Sequence, residues 1–253
     1  MKKVLLAGNW KMHKTLAEVK AYFEKFLKDL ETINLSAKEI MIAPPFTALA
    51  YSRKLTDGSP IKLGAQNACW EEKGAFTGEI SPLMLKELGV EYVIVGHSER
   101  RHIFGETNEL VGKRAEGVFR FGLTPVLCVG ETLEERQQNK TLEVIKSQLE
   151  AGLIGIKEVW ERDLVIAYEP VWAIGTGITA TPEQAEEVHG FIRDFLSGLY
   201  GKEKAETIRI LYGGSVTPEN IGSLIKQPNI DGVLVGGASL DPDKFLKICA
   251  VAL

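Results

Sequence analysis

Apolar residues along this chain follow two rhythms. Short continuous runs rich in Val, Ile and Leu recur as KVLLAGN (3–9), EIMIAP (39–44), IKLGAQ (61–66), YVIVGH (92–97), TPVLCVG (124–130), LVIAYE (164–169), IRILYG (208–213) and DGVLVGG (231–237). Between most of them the spacing lengthens to about 3.6, the repeat of a helix with one buried face. Leu16, Val19, Phe23, Phe26, Leu27 and Leu30 form such a face, and Thr15 with Glu18 supplies a capping box ahead of it. Ser81 and Pro82 start a second helix that Gly89 stops, and Thr181, Pro182 and Gln184 start a third. Runs that are apolar throughout, rather than on alternate residues, belong to strands buried on both faces, and helices between them make the sheet parallel. About eight strands spread over the whole length predict an α/β protein, a closed (β/α)8 barrel of parallel strands forming one domain over residues 1–253. An open, doubly wound sheet would place a glycine fingerprint after its first strand, where this chain has Asn9, Trp10 and Lys11.

Composition leaves that picture intact and narrows the partners. The 253 residues are 45% hydrophobic and 25% charged, ordinary for a soluble globular protein. With 30 basic and 34 acidic side chains and a formal charge of -4, neither nucleic acid nor an anionic membrane is an expected partner. The opening MKKVLLAGNWKMHK has two lysines before an apolar piece, but that piece is too short for a secretory signal. Cys69, Cys128 and Cys249 lie far apart without metal-ligand spacing, so free thiols, a cytoplasmic location and no metal are expected.

Candidate chemistry falls where strands end, the face on which a parallel barrel collects its functional groups. Asn9 and Lys11 follow the first strand, His97 the fourth, Glu169 the sixth, Ser215 the seventh, and Gly236 and Gly237 the eighth. Tyr168, Pro170 and Trp172 surround Glu169 with apolar bulk, and desolvation there would favour the neutral acid and strengthen a base. Lys11 beside Asn9 suits an anionic substrate. His97 heads a helix-like segment whose dipole favours a neutral imidazole. The glycine-rich turns YGGS and GGAS sit where barrels bind phosphate through backbone N–H groups. Glu99, Arg100 and Arg101 read as an ion-pair network, Cys128 as a core thiol, and His13, His102 and His189 as structural. The segment from Pro170 to Ala180, stiff first and glycine-rich at Gly175 and Gly177, reads as a lid. A carboxylate base, a carbonyl-polarising histidine, a lysine and a phosphate cradle suit proton transfer beside the carbonyl of a small phosphorylated compound.

In order along the chain, AGNWKM, GAQN with GAFTGEIS, GHSERR, YEPVWAIGTG, YGGSV and GVLVGGASL are similar to the motifs of the triosephosphate isomerase family. The resemblance implies interconversion of dihydroxyacetone phosphate and D-glyceraldehyde 3-phosphate through an enediolate, without a cofactor, in glycolysis and gluconeogenesis. It implies Glu169 as general base, His97 as electrophile, and Lys11 with Asn9 as electrostatic partners. Gly175, Ser215, Gly236 and Gly237 would hold the phosphate. It also implies a homodimer through the loop from Gln66 to Glu79, with Thr77 near its tip. Ile178 departs from the lysine common in the family, at the trailing hinge of the lid only. Other readings of the same residues are an isomerase for a larger sugar phosphate, a Schiff-base aldolase using Lys11, or a non-catalytic sugar-phosphate sensor.

Overall fold

A computed structural model describes residues 3–157, 159, 162–173 and 180–253. Its strands are β1 (Val4–Asn9), β2 (Lys38–Ala43), β3 (Ile61–Ala65), β4 (Val90–Val95), β5 (Thr124–Val129), β6 (Val165–Tyr168), β7 (Arg209–Tyr212) and β8 (Gly232–Val235). Each coincides with one of the apolar runs. Neighbours in sequence pair in parallel, and β1 pairs with both β2 and β8, which closes the barrel. The helices described are α1 (Leu16–Leu30), α2 (Phe46–Leu55), α3 (Pro82–Glu87), α4 (Ser98–His102), α5 (Asn108–Arg120), α6 (Leu133–Gln137), α7 (Thr141–Leu153), α8 (Pro182–Tyr200), α9 (Lys202–Thr207), α10 (Ile221–Ile225) and α11 (Pro242–Cys249).

The continuous apolar runs are explained by two cores, one on each face of the sheet. Inside the barrel, Leu5, Ala7, Met41, Ile94, Val165 and Leu211 fill the lumen. Residues of opposite parity, such as Leu6, Ile40, Val93 and Ile166, pack outward against the helices. The lower end of the lumen is closed by polar groups. Arg209 donates to Glu39 at 3.0 Å and to the Tyr92 hydroxyl at 2.7 Å, and that hydroxyl donates to Glu39. Helix starts follow local chemistry: the capping boxes at Thr15/Glu18 and Thr181/Gln184 are both formed, and Ser81 accepts from the Met84 amide ahead of Pro82. α1 buries Val19, Tyr22, Phe23, Phe26 and Leu30, the face its periodicity predicts. No described helix is long and apolar enough to cross a membrane.

Candidate active site

The upper ends of the strands converge on a cavity of about 600 Å3. Asn9, Lys11, His97, Glu169, Ser215, Gly236 and Gly237 all line it, although they come from β1, β4, β6, β7 and β8 or the turns that follow. Gly175 belongs to residues 174–179, outside the described residues, as does Gly177, so the expected lid falls largely there.

Glu169 is 2% exposed and has both carboxylate oxygens engaged. One accepts from His97 Nε2 at 2.9 Å, and the other from the Ser98 backbone N–H at 2.9 Å. Its position is set by close backbone contact. The Glu169 amide donates to the Val129 carbonyl at 2.7 Å, and the Gly213 amide to the Tyr168 carbonyl at 2.7 Å. A Cβ on Gly130 would lie 1.8 Å from the Glu169 carbonyl oxygen, so only glycine fits there. Gln148 of α7 fixes Gly130 from behind, accepting from its amide at 2.8 Å and donating to its carbonyl at 3.1 Å.

His97 is the N-cap of α4, as its place in the sequence suggests. Nδ1 accepts from the Glu99 amide at 3.3 Å, so the imidazole proton sits on Nε2 and points to Glu169. The preceding Gly96 has φ +67, and a Cβ there would be 2.5 Å from Val111. That left-handed residue turns the chain sharply enough to aim the imidazole into the barrel mouth.

Sequence reasoning about proton affinity needs correction here. Burial pushes Glu169 up, as expected, but the facing His97, the Ser98 amide and Lys11 outweigh it and hold the carboxyl below its usual range. Burial pushes His97 down, and the Glu169 charge outweighs that and holds it above the usual imidazole range. The helix dipole is the weaker influence because the carboxylate is in direct contact.

Lys11 sits across the cavity in a left-handed backbone conformation, φ 53, unusual for a residue with a Cβ. Two backbone bonds hold it, and a third anchors the residue that makes one of them. The Asn9 side-chain oxygen accepts from the Lys11 amide at 3.0 Å, and Gln66 Nε2 donates to the Lys11 carbonyl at 2.8 Å and to that of Ala43 at 3.0 Å. The Lys11 ammonium pairs with Glu99 at 2.8 Å. The anticipated network of Glu99, Arg100 and Arg101 therefore divides: Glu99 turns to Lys11, Arg100 pairs with Glu106 at 2.7 Å, and Arg101 donates to the neutral oxygens of Gly96, Asn108 and Cys128.

Several residues here were not singled out from sequence. Glu131, fully buried, accepts from Tyr168 (3.2 Å), Trp172 (3.0 Å) and Arg136 (3.1 Å), anchoring the chain just after Glu169. Gln66, Gln148 and Gly130 are equally silent in one dimension, because each acts across a long sequence separation. A capping pattern at Thr132 and Glu135 was the one local signal near Glu131. No group of described residues has the geometry of a metal site.

Relatives with this organisation are numerous. The family model described as triosephosphate isomerase matches residues 4–252. Proteins named triosephosphate isomerase from Aquifex aeolicus and Solibacter usitatus are each 53% identical, over 96% and 98% of this chain and 97% and 99% of their own lengths. One of the same name from Dictyoglomus thermophilum is 51% identical over 98% of this chain and 99% of its own. Six motifs in register, a closed eight-stranded barrel and full-length identity near one half have one explanation: the chain belongs to the triosephosphate isomerase family.

Proposed function

We propose that Glu169, His97, Lys11 and Asn9 carry the reaction of this family, the interconversion of dihydroxyacetone phosphate and D-glyceraldehyde 3-phosphate. The observation that carries the assignment is the 2.9 Å contact between Glu169 and His97 at the floor of the cavity. One N–H serves two partners in turn. At rest His97 Nε2–H is held by the carboxylate. When substrate enters, Glu169 leaves it to take a proton from the carbon beside the carbonyl, and Nε2–H is released to the carbonyl oxygen. The same exchange tunes both groups. Away from His97 and the Ser98 amide, Glu169 keeps only the influences of burial, which raises it, and of Lys11, which lowers it, so its basicity increases. Away from Glu169, burial and Lys11 push His97 toward the neutral imidazole against the smaller opposing charge of Glu99, and that is the form in which Nδ1 accepts from the Glu99 amide.

Proton removal leaves an enediolate. Lys11 stabilises its negative charge, and Asn9 holds Lys11 in place. His97 Nε2 gives its proton to the former carbonyl oxygen and takes one back from the neighbouring hydroxyl, and Glu169 returns the carbon-bound proton to the adjacent carbon, so that both residues end as they began. Ser215, Gly236 and Gly237 grip the phosphate through backbone N–H groups, joined by Gly175 from the lid. The turn at Gly237–Leu240 supports this reading, since a Cβ at Gly237 would meet nothing within 4 Å and the space beside it is open to a ligand. A Schiff base at Lys11 is disfavoured by its 2.8 Å ion pair with Glu99, which already engages the side-chain nitrogen.

Residues 1–253 act in this reading as one catalytic domain in the cytoplasm, in glycolysis and gluconeogenesis. The functional form is a homodimer in which the loop from Gln66 to Glu79 enters the partner. The deciding experiment is a coupled isomerase assay on the parent and Glu169→Asp. Withdrawing the carboxylate by one methylene is expected to lower kcat by about 100-fold or more with the fold retained, because proton transfer needs a reach of roughly 3 Å. Parent-like turnover would remove Glu169 from the role of base. Inorganic phosphate is expected to compete with substrate.

A further inference from the structure

The cavity continues past the phosphate cradle. Besides Ser215 and Gly237 its wall includes Thr217 and Glu219, which follow β7, and Lys244 and Lys247 of α11. The phase of the helix fixes these two lysines. Phe245 and Ile248 turn into the core, which leaves positions 244 and 247, three apart, as exposed neighbours on the outer face. Nearby cations are already committed: Lys11 to Glu99 and Lys25 to Asp243, while Lys14 donates to the Leu240 carbonyl at 2.8 Å. Among the described residues, no carboxylate lies within ion-pair distance of the Lys244 or Lys247 ammonium. Glu219 is an acidic group of the same rim, and Asp241, the N-cap of α11, also feels the Lys244 charge while its carboxylate accepts from the Lys244 amide. The Glu219 carboxyl is held below the usual range by the Thr217 side chain and its own backbone amide first, with Lys247 and Lys244 adding to the effect.

A dianionic substrate approaching a chain of net charge -4 meets an unfavourable field unless the mouth of the site is locally positive. We propose that Lys244 and Lys247 form a cationic rim that captures the phosphate of the incoming triose phosphate and delivers it to the cradle, with Glu219 opposing them. The inference rests on the reading of Ser215, Gly236 and Gly237 as the phosphate grip. Lys244 and Lys247 are exposed whereas Glu169 and His97 are buried, so the rim acts on encounter and leaves the chemical step alone. Its influence is long-ranged and therefore screened by salt, with a Debye length of about 10 Å at 0.1 M. The three side chains make a signed set: removing the lysines weakens capture, and removing Glu219 strengthens it.

The test measures kcat and kcat/KM for glyceraldehyde 3-phosphate from about 10 mM to about 300 mM ionic strength. The parent, the double variant Lys244→Gln with Lys247→Gln, and Glu219→Gln are compared, with unphosphorylated glyceraldehyde as the uncharged control. The double variant is expected to lose about two- to five-fold in kcat/KM at low salt, to keep its kcat, to show a shallower salt dependence, and to converge on the parent at high salt. Glu219→Gln is expected to gain in kcat/KM and steepen the salt dependence. Glyceraldehyde turnover is expected to be equal in all three. Equal salt slopes, or a loss that persists at high salt together with a fall in kcat, would overturn the rim. Competition by inorganic phosphate in the parent separates the two readings. If phosphate competes and the slopes are unchanged, only the rim fails; if it does not compete, the cradle fails first.

Discussion

At the scale of single residues, the site is held by contacts too close to tolerate an added methyl group. Gly130 is the sharpest case, since its Cβ would stand 1.8 Å from the carbonyl oxygen of the proposed base. Gly130→Ala must push the end of β6 away by more than an ångström, because Gln148 holds the other side of Gly130 through two hydrogen bonds. Misplacing a reacting group by that distance costs about 100-fold in rate, so kcat is expected to fall by about that factor while KM moves little. A matched control is Gly112→Ala, whose Cβ would meet the Ala151 carbonyl oxygen at 2.3 Å between α5 and α7. It is expected to lower thermal stability with kcat retained, so equal kcat losses in the two variants would show that the effect at Gly130 is general loosening. Gly130 could not have been recognised from sequence, where it is one glycine ending an apolar run. Its partner lies 39 positions away in sequence, and only barrel closure brings the two together.

Elements were the most legible level, because a β/α barrel repeats its own grammar: most strand runs end in a polar residue or glycine, and α3, α5, α6, α8 and α11 open with a side-chain cap. Asn9, His97, Glu169 and Ser215 were visible for that reason, as end-of-strand interruptions in otherwise apolar runs. Side-chain partners between elements were not visible, and α8 illustrates the difference. Its capping box and helical face are local, but the surroundings of His189 are not. The imidazole is fully buried between the rings of Tyr168 on β6 and Tyr212 on β7, at 5.9 Å and 6.5 Å. Nδ1–H donates to the Asn229 carbonyl at 3.1 Å, and Nε2 has no hydrogen-bond partner among the described residues. Burial pushes its pKa down from 6.5 to about 4, with the Asn229 bond opposing. The folded state thus prefers neutral His189, whereas the unfolded chain takes up a proton below 6.5. Stability is therefore expected to decline as pH falls from 6.5 toward 4, by roughly 3 kcal/mol in all from this group. Chemical denaturation at pH 7, 5.5 and 4.5 should show that decline in the parent and a smaller one in His189→Phe. Equal pH slopes would mean that another group carries the acid sensitivity.

For the whole molecule, the strongest expectation concerns how much of the chain's surface is built for a second copy. The loop that follows β3 is a projection with a pinned base. Arg114 of α5 donates to both Glu79 oxygens at 2.7 and 2.8 Å and to the Ala68 carbonyl at 2.6 Å, and Arg120 donates to the Trp70 carbonyl at 2.8 Å. Trp70 and Phe76 meet edge to face at 5.6 Å, stiffening the arm, while residues 72–78 are exposed. On the same molecule a second depression beside Lys11 is lined by Met12, Phe46, Gln66 and Phe104. Met12 is 93% exposed and Phe104 67%, more apolar surface than a lone monomer gains by showing to water. In the proposed homodimer, an arm and a hollow on one chain would satisfy each other reciprocally across a two-fold axis, the commonest symmetry of soluble oligomers. Association would then cover the wall of the site that holds Lys11, a residue already in a left-handed conformation that costs on the order of 1–3 kcal/mol and needs support. Activity and association should accordingly fall together. Thr77→Arg, which places a charge at the exposed tip, is expected to yield monomers in sedimentation and to lower kcat/KM by about tenfold or more, since each lost 1.4 kcal/mol of site support costs that factor. Raising the protein concentration should restore part of the loss in the variant. A fully active Thr77→Arg monomer would separate the arm from catalysis and leave Asn9 and Gln66 as sufficient supports for Lys11.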